Sequence, residues 1–290
     1  MRRDFIKFCG KAGLGLAVPV SWPNLLQGKA KEPDAYEGPY YVTFNASGGW
    51  DTTYLMDPKG ANGINRLYKE GDILTHGKHV FAPTAKQVEK GMSNEDFFKA
   101  YGNELLVLNG LDYSINNHSP CKRYMATGKL DSLAYPTFAA LAAACRGPET
   151  PLAFLTFGNY SATGNLVPMA RIPYLPSLKL IANADSVQGV ARNLYHDDFA
   201  LDLIERALSE QAESAPMAHP QLPRAERAQS MLYAAQTNSK ALKRVTPYIS
   251  NKIPKERLAQ QAEIALSCFK GGVCVSANLS IGQFDSHATN

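Results

Sequence analysis

The stretch Val273-Cys274-Val275-Ser276-Ala277-Asn278-Leu279-Ser280-Ile281 is an apolar run with β-branched residues, and it reads as a buried strand. Directly after it come Gly282-Gln283-Phe284-Asp285-Ser286-His287-Ala288-Thr289-Asn290. An Asp and a His two apart, just past a strand, can point into the crevice at a sheet's carboxyl edge, where open α/β folds place their ligands. Towards the other end of the chain, Tyr40-Tyr41-Val42-Thr43-Phe44-Asn45 runs into Gly48-Gly49-Trp50-Asp51-Thr52-Thr53 in the same manner. Asp51 and Asp285, each at a strand end after a small turn, make a candidate metal site.

The segments between these two ends alternate. Ser93-Asn94-Glu95-Asp96 opens a helix, with Ser93 as N-cap and acids where the helix dipole favours them, and the helix closes near Gly102. Glu104 to Leu111 is expected to form a strand covered on both faces. After the turn Asn116-Asn117-His118-Ser119-Pro120, a helical segment ends at Thr127-Gly128, and an Ala-rich helix spans Pro136 to Cys145. Ala153 to Gly158 is another strand. Residues 159–197, with Pro168, Pro173 and Pro176, read as loop, and Asp198 to about Lys270 as a helical block that Asp197-Asp198 caps. Residues 52–92 read as a surface excursion with a short strand near His79-Val80-Phe81, leaving His76 and His79 as solvated loop histidines. The expected fold class is α/β: a mostly parallel sheet flanked by helices, with a helical block before the last strand.

Charge is uneven. Of the 30 Lys and Arg and 26 Asp and Glu, residues 1–31 hold six basic residues and one acid, leaving 24 basic against 25 acidic in the body. The body therefore has no basic excess of the kind that nucleic-acid binding requires. A hydrophobic content of 45% with 19% charged residues is that of a globular protein. The basic end is itself a motif. Arg2-Arg3-Asp4-Phe5-Ile6-Lys7 matches the twin-arginine export pattern, Ala12 to Val20 is an apolar segment too short to span a bilayer, and Gly28-Lys29-Ala30 suits cleavage. Residues 1–30 are thus expected to be a twin-arginine signal peptide recognised by the export machinery. Residues 31–290 are expected to form one α/β domain, folded before export and delivered to the periplasm without a stable membrane span.

Five cysteines occur, Cys9 in the leader and Cys121, Cys145, Cys268 and Cys274 in the body. An even number in an exported protein permits disulfides, in three connectivities, and burial as free thiols is the alternative. No Cys-x-x-Cys is present, so zinc-finger spacing is absent.

Chemistry concentrates on the turn before the Thr127-Gly128 helix. His118 and Ser119 lie at its start, where helix-terminal N–H groups attract anions, and Lys122 and Arg123 add positive charge for a phosphate or sulfate ester. The twin-arginine leader, Gly48-Gly49-Trp50-Asp51-Thr52, the Asn117-His118 to Thr127-Gly128 segment and Phe284-Asp285-Ser286-His287-Ala288 together resemble the domain of unknown function 1501 family. Those exported bacterial proteins look like distant relatives of alkaline phosphatases and sulfatases. The resemblance implies an alkaline-phosphatase-like core in which a first-strand carboxylate and a later Asp/His cluster surround one or two metal ions. Asp51 matches the first position, and Asp285 and His287 the second.

On that resemblance the ligands would hold a divalent metal such as zinc, manganese or calcium, which polarises a phosphoryl or sulfuryl oxygen. Sulfatases and phosphatases place Cys, Ser or Thr nine residues before the Thr of the closing Thr-Gly. Here that position is His118, with Ser119 beside it, and Cys121 is out of register. Folds of that superfamily also supply further ligands and strands after the Asp/His cluster, so the resemblance implies a partial site and a domain incomplete at its C-terminus. Two readings follow. One is a metal-dependent hydrolase of anionic esters, with Asp51, Asp285 and His287 as ligands and His118 or Ser119 at the attacked atom. The other is a non-catalytic periplasmic binding or assembly protein that retains the fold.

Overall fold

The computed structural model describes residues 34–60, 65, 67–84, 91–131, 135–158, 160–187, 194–214 and 240–285. The leader and His287 lie outside the described residues. In chain order the strands are β1 (Tyr41–Ala46), β2 (Leu74–His76), β3 (His79–Phe81), β4 (Phe154–Thr156), β5 (Met169–Ala170) and β6 (Ser276–Ile281). The α-helices are α1 (Asn94–Tyr101), α2 (His118–Thr127), α3 (Phe138–Arg146), α4 (Leu175–Ala182), α5 (Asp198–Ser214) and α6 (Arg257–Lys270). The chain divides into two compact units, Met1–Asn45 with Lys122–Ile281 and Ala46–Cys121 with Gly282–Asn290.

The larger unit is an α/β core. Its four-stranded, mostly parallel sheet has the order β1-β6-β4-β5, and β4 runs parallel to both β6 and β5. Register puts Phe154 opposite Ser276 and Leu155 opposite Ala277. Successive side chains of a strand face opposite sides, so Phe154 and Leu155 serve different cores. Phe154 packs with Val275 against Ala139, Ala140 and Ala143 of α3. Alanines let that helix come close enough for the Ser276 hydroxyl to donate to the Ala139 carbonyl at 2.7 Å. On the other face Leu155 and Ala277 meet Leu175 and Leu178 of α4 and Ile264, Ala265 and Cys268 of α6. Each fully buried large apolar side chain contributes about 1.5–3 kcal/mol. Covering both faces is why these strands read as unbroken apolar runs.

A polar knot closes the carboxyl ends of these strands. Asn278 is buried, its Oδ1 accepting from the Thr43 hydroxyl at 3.1 Å and from the Asn45 amide, while its Nδ2 donates to the Gly158 carbonyl at 3.2 Å. Gln261 of α6 imitates a neighbouring strand: its Oε1 accepts from the Ser280 N–H at 2.8 Å and its Nε2 donates to the Ser280 carbonyl at 2.9 Å.

The smaller unit has its own core. Strands β2 and β3 form an antiparallel hairpin, and Phe81 stacks on Phe98 of α1 with ring centroids 4.2 Å apart. Ser93 caps α1 by accepting from the Asp96 N–H at 3.0 Å, as its sequence suggests.

Three expectations are corrected. The run from Glu104 to Leu111 is not a strand. It begins in a 3-10 turn, Gly102–Glu104, and continues without regular structure, leaving Leu106 77% and Leu108 68% exposed. An apolar run supplies only propensity; a strand needs a neighbour to complete its ladder, and none pairs with this one among the described residues. The segment 159–197 is not all loop, because it contains β5 and α4. Pro176 lies in the first turn of α4, where its missing N–H costs nothing. His79 is not a solvated histidine either. It is 6% exposed, opposite His76 in the hairpin, with Nε2 2.7 Å from the Gly102 carbonyl. A carbonyl only accepts, so that nitrogen carries the proton.

The four body cysteines are free: Cys268 and Cys274 are buried, Cys121 is half-buried and Cys145 is exposed. Burial pushes the Cys268 thiol up to about 12, and that of Cys274 well above its ordinary value. Among the described residues no helix is long and apolar enough to cross a membrane.

Candidate functional site

The site is assembled in the smaller unit around a glycine. Gly48 has φ +125°, a conformation that L side chains rarely adopt, and a Cβ there would stand 2.8 Å from the Asp285 N–H nitrogen. The absent side chain lets the Gly48-Gly49-Trp50-Asp51 turn and the Phe284-Asp285 segment lie backbone against backbone. The Phe284 N–H donates to the Ser47 carbonyl at 3.4 Å, and the rings of Trp50 and Phe284 are 6.2 Å apart between centroids. Two motifs more than two hundred residues apart in sequence are thus neighbours.

A third motif joins them. His118 opens α2, and its Nε2 lies 3.1 Å from Asp285 Oδ2, both side chains partly open to solvent. Asn117 sets the start of this helix: its Oδ1 accepts from the Ser119 N–H at 3.1 Å and its carbonyl from the Cys121 N–H at 3.0 Å. Ser119 is exposed beside His118.

Asp51 has a local task. Its Oδ1 accepts from the Thr53 N–H at 2.9 Å and the Thr53 hydroxyl at 2.7 Å, capping the 3-10 turn Thr52–Tyr54. Its Oδ2 makes no hydrogen bond among the described residues, which leaves one carboxylate oxygen for a ligand. Lys122 and Arg123 follow on α2 and belong to the larger unit. The Arg123 Nη1 donates to the Leu130 carbonyl at 2.7 Å, so part of that guanidinium serves the chain itself.

The structure therefore brings His118 and Asp285 together and sets the Asp51 turn against the Asp285 segment, while His287 lies outside the described residues. The donor types suit a divalent ion, since carboxylate oxygens and imidazole are ordinary ligands of zinc and manganese. Among the described residues, however, no three His, Cys, Asp or Glu side chains converge as a metal-holding group. Reasoning from the sequence alone overlooked the steric role of Gly48 and the Trp50–Phe284 pair. A glycine pair before an aromatic residue signals a close backbone approach but does not name the partner.

Comparison of the chain with family models, curated proteins and solved structures finds no match.

Proposed function

We propose that the protein is an exported relative of alkaline phosphatases and sulfatases that hydrolyses phosphate or sulfate esters with the help of a divalent metal. One observation carries this reading: His118 Nε2 lies 3.1 Å from Asp285 Oδ2, beside the turn that bears Asp51, although the three come from separate motifs. Asp285 orients the imidazole. With Nε2–H donated to that carboxylate, Nδ1 carries the lone pair that can take a proton from an attacking hydroxyl or water. Ser119, at the start of the same helix, is the neighbouring hydroxyl. A divalent ion held by Asp51 and the Asp285 segment would polarise the ester oxygen. The Arg2-Arg3 leader supports delivery to the periplasm by the twin-arginine route.

The test is hydrolysis of p-nitrophenyl phosphate and p-nitrophenyl sulfate by the purified chain, with zinc or manganese added or removed by chelator. Metal-dependent turnover that falls by about 100-fold or more in His118→Ala and in Asp285→Ala is the expected result. Turnover that ignores both substitutions, or none with any metal, would overturn it. The capping role of the Asp51 carboxylate favours a second reading, a binding or assembly protein without chemistry. That reading expects no turnover and no tight metal.

A further inference from the structure

The larger unit carries a cavity that shares no residue with the His118–Asp285 site. It has a volume of about 220 Å³ and opens where β4 ends at Thr156 and where the chain leaves β5 at Arg171. The first turns of α6 form another wall through Arg257, Gln260 and Gln261. In parallel sheets the crevice outside the carboxyl ends of the strands is where ligands bind. We propose that this cavity binds a small dianionic oxyanion, a phosphate or sulfate group, held between Arg171 and Arg257.

The lining makes the case. Among the described residues that line it there are two guanidinium groups and no carboxylate, a balance that favours an anionic ligand. Arg171 gives Nη2 to the Ser161 hydroxyl at 3.2 Å, which steadies the side chain without neutralising it. Arg257 has no ion pair or hydrogen bond among the described residues, although arginine is the side chain best suited to grip an oxyanion by two parallel N–H bonds. The floor is apolar and buried at Ile172 and Ile264, and both arginines are exposed above it. α6 begins at Arg257 without a side-chain cap from Glu256, so its first N–H groups and the positive end of its dipole add to the same field. Gln261 is already bound to Ser280, and its tie to β6 keeps this wall in place.

Size narrows the ligand. About 220 Å³ accommodates a tetrahedral oxyanion with a small substituent, and not a nucleotide. The ion could arrive free or as the head of a small ester. The proposal stands independently of the hydrolase reading, since its residues lie on other elements.

Calorimetric titration of the full chain at low ionic strength, with inorganic phosphate and with phenyl phosphate, tests it. Saturable binding at one site is expected, weakened roughly tenfold or more by Arg257→Gln and by Arg171→Gln and abolished in the double variant. Arg257→Lys, which keeps the charge but not the fork, is expected to fall between. Tighter binding of phenyl phosphate would assign the anion to an ester, and equal binding to the free ion. A rise in thermal midpoint with phosphate in the native chain, absent from a folded double variant, would support the assignment. Absence of saturable binding would overturn it. So would binding that survives the double variant but is lost in His118→Ala, which would place the anion at the candidate active site instead.

Discussion

At Gly48 one missing methyl group decides whether two distant segments can touch. Gly48→Ala is expected to destabilise the smaller unit by about 1–3 kcal/mol, from the strained positive φ and from the forced retreat of Asp285. Gly49→Ala is the internal control, because φ there is +103° but no atom of the described residues lies within 4 Å of the new Cβ. Urea midpoints for the two variants separate the contact from the backbone term; equal losses would show that the contact with Asp285 is worthless. A second residue-scale effect belongs to Cys268, whose thiol burial raises to about 12 from an ordinary 9.0. Below pH 9 folded and unfolded states both hold the proton, and its contribution is complete. Between about 9 and 12 only the unfolded state releases it, so stability falls as pH rises. Denaturant midpoints at pH 8 and pH 10.5 check this, and Cys268→Ala is expected to flatten the decline.

At the scale of elements, the sheet was readable where its strands are covered on both faces. Val273 to Ile281 and Ala153 to Gly158 carry the apolar runs such burial demands, and each contributes a strand, whereas Tyr40 to Asn45 supplies the edge strand β1, whose Val42 and Phe44 are exposed. The same signal misled at Glu104 to Leu111, where apolar residues in sequence have no ladder partner among the described residues. Leu155→Ala, in the core, is accordingly expected to cost about 2–5 kcal/mol, while Leu106→Lys and Leu108→Lys are expected to stay within about 0.5 kcal/mol. Chemical denaturation of the three variants distinguishes these cases, and a large loss at Leu106 would restore the buried strand. α4 escaped notice because its proline sits where a helix tolerates one, and proline in a sequence more often marks a turn.

For the whole molecule, the candidate site was legible only as separate motifs. Asp51, His118 and Asp285 could each be named from local pattern, but their meeting depends on chain-long topology and on Gly48, which no periodicity encodes. The arginine-lined cavity was not legible at all, since Arg171 and Arg257 are isolated charges until β5 and α6 bring them to one crevice. The export expectation belongs to this scale too. Replacing Arg2 and Arg3 together by lysine is expected to hold the protein in the cytoplasm, as cell fractionation would show. Central to the whole account is that Asp51 and Asp285 hold a metal ion beside His118. Equilibrium dialysis of the full chain against zinc and manganese tests that most directly, in the native protein and in Asp51→Ala and Asp285→Ala. The account predicts a bound ion whose affinity falls at least about tenfold in either variant. A native chain that retains no metal, or variants that bind as tightly as the native chain, would contradict it.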